Sequence, residues 1–350
     1  MFKKSVGVWI LLSSFFTPVA WSEVAQAKGS VDDSVNNSVA NRAVPAGQPL
    51  SADTLLDNMK TAFKQLNYDL SYVEIERGRI TPMRYSHGLI DGVSVGHLLS
   101  LNGNPREYLR RGNITSFFEA EQPGYSLSST AIPGLLFNLM ATELTLDESL
   151  YQAIYVGGKS RVTGRLSQVV RVVPNDKYRF GYLIWVDLTT NLPLRIDMIK
   201  DSGEVVFQVM AISLYQFPDV TPWLEQLNSV KLPPVLSAIQ TQALMPAPTK
   251  SEWTAAWLPN GFKQIVSNKH QIAGIDQIID YMQFSDGLVD ISIYVNTNVK
   301  AGSLSQGLGV SGQISLQSKI TDDIEIVVVG EVPSMTAKKI ADSVVRNLDN

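Results

Sequence analysis

Residues 179–215 read RFGYLIWVDLTTNLPLRIDMIKDSGEVVFQVMAISLY. Phe180, Tyr182, Ile184 and Val186 fall on one face of an extended chain, with Leu183 and Trp185 on the other. After the turn DLTTN the alternation resumes, with Leu194, Ile196 and Met198 set against Arg195, Asp197 and Ile199. Past DSG it resumes again, as Val205, Phe207 and Val209 against Val206, Gln208 and Met210. A period of two marks strands, and turns this short join antiparallel neighbours, so the stretch predicts a meander. Both faces carry apolar groups, more than a sheet wetted on one side requires. One face is expected to pack helices and the other to be partly apolar and incompletely filled, a first hint of a binding surface.

Upstream, YDLSYVEIERGRITPMRYSHGLI predicts a hairpin turning at Arg77–Gly78. Further strands break at Asn102–Gly103–Asn104–Pro105 and at Arg111–Gly112–Asn113. Between Ile132 and Leu150 the rhythm fails, which reads as one or two short helices, and strands resume at Tyr151. Ahead of them, SADTLLDNMKTAFKQLNY sets Leu55, Met59, Phe63 and Leu66 on one helical stripe, with Ser51 as the N-cap. That apolar stripe needs a surface to cover. Residues 50–216 are therefore read as one large domain.

Downstream, the pattern dissolves over residues 217–250, which hold six of the chain's 17 prolines: Pro218, Pro222, Pro233, Pro234, Pro246 and Pro248. Such density predicts a semi-rigid linker at a domain boundary. Residues 251–350 then carry a turn at Pro259–Asn260–Gly261 and hairpins turning at Asp286–Gly287 and around Asp322–Asp323. A closing helix, SMTAKKIADSVVRNL, is expected to use Ser334 as N-cap and to bury Ala337, Ile340, Ala341, Val344 and Val345. Four or so strands and one helix make a small α+β domain. No internal repeat relates the two domains.

The N-terminus, MFKKSVGVWILLSSFFTPVAWSEVAQA, has two lysines, a short apolar run and small residues, the layout of a secretory signal peptide over residues 1–22. Cleavage is expected before Glu23 or before Lys28. The run falls short of the roughly 20 residues of a membrane span. Residues 28–49 lack aromatics, are rich in Ser, Asn and Asp, and read as a flexible spacer. A soluble periplasmic protein is the expectation.

The chain has 350 residues, 45% of them hydrophobic, enough for two cores. It has no cysteine, which excludes disulfides, thiolate chemistry, cysteine-bound zinc and the lipidated cysteine of a lipoprotein. A net charge of −4, more acidic still once the signal lysines are lost, argues against nucleic acid as a partner. His87, His97 and His270 match no metal spacing. There is no G-x-S-x-G elbow, and VGGKSRVTG lacks the spacing of a phosphate loop. Asp187, Asp201, Asp286 and Asp322 sit at turns, where carboxylates cap or face solvent. No catalytic residue, metal or cofactor is assigned, and the chain reads as a binding protein rather than an enzyme.

The series VVRVVPNDKYRFGYLIWVDLTTNLPLRID, KLPPVLS, AWLPNGF, SDGLVDISIYV and IVVVGEVPSMTAKKIADSV resembles, in that order, the RseB/MucB family of periplasmic regulators of the sigma-E envelope-stress response. The resemblance implies an unclosed antiparallel β-barrel with helices in its concavity, like the lipoprotein carriers LolA and LolB. A smaller antiparallel sheet domain with a flanking C-terminal helix would follow. It implies binding to the periplasmic part of an RseA/MucA-like anti-sigma factor, protection of that partner from a DegS-type protease, and release by lipopolysaccharide or another lipid. The alternative is a lipid or lipoprotein carrier working through the apolar concavity alone. Phe117, Phe118, Tyr125, Leu135, Leu136 and Phe137 are the candidates to line an acyl-chain cavity, though each also reads as core. Arg110, Arg111, Lys159, Arg161 and Arg165 are the candidates to meet lipid phosphates. Trp253, Trp257 and Phe262 are candidate partner anchors at the domain cleft, with core packing as the competing reading. A homo-oligomer stays open.

Overall fold

The alternation of residues 179–215 continues in both directions into one large antiparallel sheet. Its strands are β1 (Asn67–Glu76), β2 (Arg79–Ile90), β3 (Val93–Ser100), β4 (Arg106–Arg111), β5 (Ile114–Glu119), β6 (Tyr125–Leu127), β7 (Tyr151–Tyr155), β8 (Ser160–Val162), β9 (Arg165–Pro174), β10 (Gly181–Asp187), β11 (Pro193–Ile199) and β12 (Val205–Phe217). In space they run β6-β5-β4-β3-β2-β1-β12-β11-β10-β9-β7, with β8 also on β9. Two meanders are thus fused where β1 pairs β12, from Asn67↔Phe217 to Ile75↔Gln208. β6 and β7 do not pair, so the barrel stays open. The computed structural model describes residues 51–120, 123–141, 147–236, 251–271, 278–299, 302–307 and 314–347. The expected signal peptide and spacer lie outside them, as do residues 237–250 of the expected linker.

Helix α1 (Ala52–Gln65) starts where Ser51 accepts the Thr54 amide at 3.1 Å, as its sequence predicts. It buries Leu55, Leu56, Met59 and Phe63 against the inner face of the sheet, where Tyr182, Ile184, Leu194, Ile196 and Met198 point. A short second helix, α2 (Leu135–Ala141), adds Leu135, Leu136 and Phe137 to the same core. Each such side chain contributes about 1.5–3 kcal/mol on burial, so the two helices are firmly seated in the concavity. Around Arg195 the sheet's other face is not an open apolar groove. Arg195 stacks on Trp185 at 4.3 Å and grips Asp197 through two bonds of 2.8 and 2.5 Å, while Gln208 reaches the same carboxylate at 2.7 Å.

Two features escape the periodicity reading. The Asp91–Gly92 turn divides β2 from β3, although such a pair is a strong hairpin signal. Residues 217–250 also hold a helix, α3 (Pro222–Ser229), capped by Thr221 and with proline at its first turn. Leu224 and Leu227 of α3 pack on the outer face against Val95, Leu109 and Phe118. Beyond it the prolines run along the β6 edge: Ser126 donates to the Pro234 carbonyl at 3.1 Å, and Leu236 donates back at 2.8 Å. A proline can accept but not donate, so this segment covers the edge and offers few free amides of its own.

In the small domain β14 (Lys263–Gln271), β15 (Ile278–Ser285), β16 (Asp290–Asn296), β17 (Ser315–Thr321) and β18 (Ile324–Gly330) form a sheet in the order β14-β15-β16-β18-β17. β13 (Trp253–Ala255) pairs separately with β19 (Val344–Arg346). A single turn, α3's successor α4 (Leu304–Gly307), and the closing helix α5 (Ser334–Ser343) complete it. Pro333, not Ser334, is the N-cap residue of α5. The helix ends at Ser343 because β-branched Val344 and Val345 go extended to meet β13, which leaves Val345 exposed.

Candidate functional site at the concavity and the domain joint

Arg179, the first residue of the stretch that sets the meander, is the pivot of the joint between domains. It stands just before β10 with only 2% of its surface exposed. Its Nε donates to Asp286 Oδ2 at 2.6 Å, and its other nitrogens reach Asp176 and the Asn260 carbonyl. Tyr151 donates to the same Asp286 oxygen at 2.8 Å. The guanidinium also lies over the rings of Tyr151 at 5.6 Å and Phe262 at 5.0 Å. Burial works against the charged guanidinium, yet Asp286, Tyr151 and Asp176 more than offset it and hold its pKa above the ordinary value. Burial, reinforced by Asp286, pushes Tyr151 well up, so that phenol stays a donor.

Asp286 divides its two oxygens between domains. Oδ1 accepts the amides of Leu288 and Val289 at 2.9 and 2.8 Å and so shapes the β15–β16 turn. Oδ2 takes the two large-domain donors. Around this centre Asn138 of α2 donates to Glu331 at 3.0 Å, and Thr336 of α5 donates to the Tyr178 carbonyl at 3.0 Å. Tyr178 meets Trp257 edge-on at 5.0 Å, with Lys339 above the Trp257 ring at 3.9 Å. Gly261, at φ +85°, lies so close to Leu150 that a Cβ there would sit 2.5 Å from its Cδ1.

The joint closes the mouth of the concavity. Between α1, α2, β9 and β10 remains a cavity of about 20 Å³, lined by Leu56, Met59, Lys60, Leu139, Val172, Tyr182, Ile184 and, from the small domain, Leu288. Such a space holds roughly one water. Leu288 packs against the cores of both domains.

The residues singled out in the sequence fall in several places. Phe117, Leu135, Leu136 and Phe137 are buried in the main core, and Tyr125 stacks on Phe117 at 5.0 Å, half-buried. Phe118 points to the outer face, under α3. The five cations do not gather: β4 and β9 lie on opposite wings of the sheet. Arg110 faces inward and donates to Ser94 at 2.8 Å, whereas Arg111 faces α3 and donates to the carbonyls of Leu227 and of Val230, the latter at 2.6 Å. Lys159 is exposed, Arg161 donates to the Gly164 carbonyl at 3.0 Å, and Arg165 is bound to Asp187. Trp257 and Phe262 stand at the joint, while Trp253 is buried in the small-domain core. Arg179, Tyr151, Asn138 and Leu288 carry no local signal for their part in the joint, and Asp286 reads in sequence as a turn carboxylate.

His87 and Glu74, on the inner face, are displaced from their usual ionisation. Burial pushes His87 down to about 4, against a backbone bond to Leu66 that favours its charged form; Arg110 adds to the depression. The ring bonds the Leu66 carbonyl at 2.7 Å and Ser94 at 2.8 Å. Burial pushes Glu74 up to about 7, with Arg106 opposing and Glu76 assisting.

Sequence models of the MucB/RseB N-terminal domain and the MucB/RseB C-terminal domain match residues 51–236 and 247–345. The chain is 34% identical over 295 residues to the sigma-E factor regulatory protein RseB of Salmonella typhimurium, covering 84% of this chain and 90% of that one. It is 32% identical over 325 residues to the RseB of Escherichia coli, covering 93% and 97%. The solved complex of Pseudomonas aeruginosa MucA and MucB shares its fold at a TM-score of 0.64 and 22% identity, over 84% of this chain and 98% of the matched chain.

Proposed function

Because the chain belongs to the MucB/RseB family, we propose that it is a periplasmic negative regulator of a sigma-E-type factor. It binds the periplasmic domain of an RseA/MucA-like membrane anti-sigma factor, protects that partner from regulated proteolysis, and is released by lipopolysaccharide or another lipid. One observation carries this reading: both family domains match in order, at 34% identity to a protein that bears the regulatory name. That MucB has been solved with MucA supports the choice of partner. No helix among the described residues is long and apolar enough to cross a membrane, in keeping with a regulator that reaches its membrane partner from outside the bilayer.

A carrier acting through the concavity alone would use an open pocket and need one domain. Here α1 and α2 fill the concavity, and a second domain is bonded across its mouth. Both features favour the regulator. Its response to a lipid then requires that lipid and anti-sigma factor prefer different arrangements of the joint, since a ligand shifts an equilibrium only by its differential affinity.

The test is a cleavage assay. The anti-sigma periplasmic domain is exposed to its site-one protease with and without the mature chain. Cleavage slowed by the chain, and restored by added lipopolysaccharide, is the expected result. Unchanged cleavage would remove the protective role.

A further inference from the structure

We propose that the Asp286–Val289 turn is a plug in the mouth of the large-domain concavity, and that a lipid acyl chain takes the place of Leu288 when the Arg179–Asp286 latch opens. The inference rests on the reading that a lipid modulates this protein, and it assigns where and how.

Among the described residues, Leu288 is the one small-domain side chain in the lining of the cavity beside Leu56, Met59 and Ile184. Withdrawing it adds the volume of an isobutyl group to a space already walled by hydrocarbon. The resulting slot is narrow, bounded by an α-helix on one side and a sheet on the other. The end of a flexible methylene chain enters such a slot, whereas a helix or an aromatic ring does not. Lys60 completes the lining. The occupant is therefore an acyl chain, that of a single-chain lipid or one chain of a larger one.

Plug and latch are the same residue's work. Asp286 Oδ1 holds the Leu288 and Val289 amides, and Oδ2 holds Arg179 and Tyr151. The turn cannot leave the concavity with its latch intact, and the latch cannot open without drawing out Leu288. An acyl chain that needs Leu288 removed thus binds the open joint alone and shifts the population toward it.

The chain has no cysteine, so a pair can be placed at will. Asn138→Cys with Glu331→Cys, joined by a short thiol-cleavable bismaleimide, pins the joint where those side chains now bond at 3.0 Å. The probe is a dansyl-labelled fatty acid, competed with laurate, on the mature chain. The cross-linked protein is expected to bind at least about tenfold more weakly than the uncross-linked one and to recover on cleavage. Leu288→Ala, which removes the plug and leaves the latch, is expected to bind about tenfold more tightly. Equal binding before and after cross-linking, no gain with Leu288→Ala, or no acyl binding by any form overturns the proposal. Anti-sigma binding is measured on the same samples: retained there while acyl binding fails, it leaves the regulator standing and sinks the plug alone.

Discussion

Arg179 and Asp286 lie 107 positions apart in different domains and meet at 2.6 Å with side chains 1% and 0% exposed. A buried pair adds little net stability over an apolar substitute, but removing one partner strands the other at a cost of about 3–5 kcal/mol. Here the stranded guanidinium has an escape, because the joint can part and let water in. Asp286→Ala is therefore expected to split one thermal transition into two and to raise the radius of gyration in X-ray scattering. A single transition at the original temperature contradicts the latch.

Gly261 tests the same joint without touching charge. Its φ of +85° suits glycine, and a Cβ would meet Leu150 at 2.5 Å. Gly261→Ala is expected to cost more than about 1 kcal/mol and to increase protease cutting between the domains. Wild-type stability and cutting would show that the contact is slack.

His87 and Glu74 give opposite pH slopes. The fold refuses the proton that the unfolded His87 takes up, so stability is lost as pH falls from about 6.5 to about 4. The fold retains the proton that the unfolded Glu74 releases, so stability is lost as pH rises from about 4.5 to about 7. The two slopes oppose each other where they overlap. Glu74→Gln removes the second: stability then climbs with pH across the overlap and exceeds wild type at about pH 8 by on the order of 1–3 kcal/mol. Urea unfolding at about pH 5 and about pH 8 reads this, and a variant no more stable than wild type at the higher pH refutes it.

Arg111 ties α3 to the sheet by donating to the Leu227 and Val230 carbonyls at the helix C-terminus. Arg111→Met is expected to cost about 1.5–3 kcal/mol in global stability and to speed amide exchange in α3, with binding of the fatty-acid probe unchanged. Loss of probe binding with normal exchange would instead place Arg111 in a lipid site.

The sheet was legible because its signals are local. The two-residue period of Phe180–Val186 and the turns at Arg77–Gly78 and Asp286–Gly287 depend on neighbours in the chain, and the strands pair accordingly. The Ser51 cap and the α1 stripe are local too. The joint is not local. Nothing within ten residues of Arg179 indicates Asp286 or the Asn260 carbonyl, which lies 81 positions away. Asp286 was readable as a turn carboxylate, and one of its oxygens does cap the turn; the other serves a contact that only the folded arrangement creates. Proline density hid α3 for a related reason: Pro222 occupies the first turn, where its missing amide costs nothing.

The most direct measurement is titration calorimetry of the mature chain against the periplasmic domain of an RseA/MucA-like anti-sigma factor. The account predicts saturable binding that Asp286→Ala weakens and that lipopolysaccharide competes away. Absence of heat and of complex on gel filtration, with both proteins folded, would contradict it.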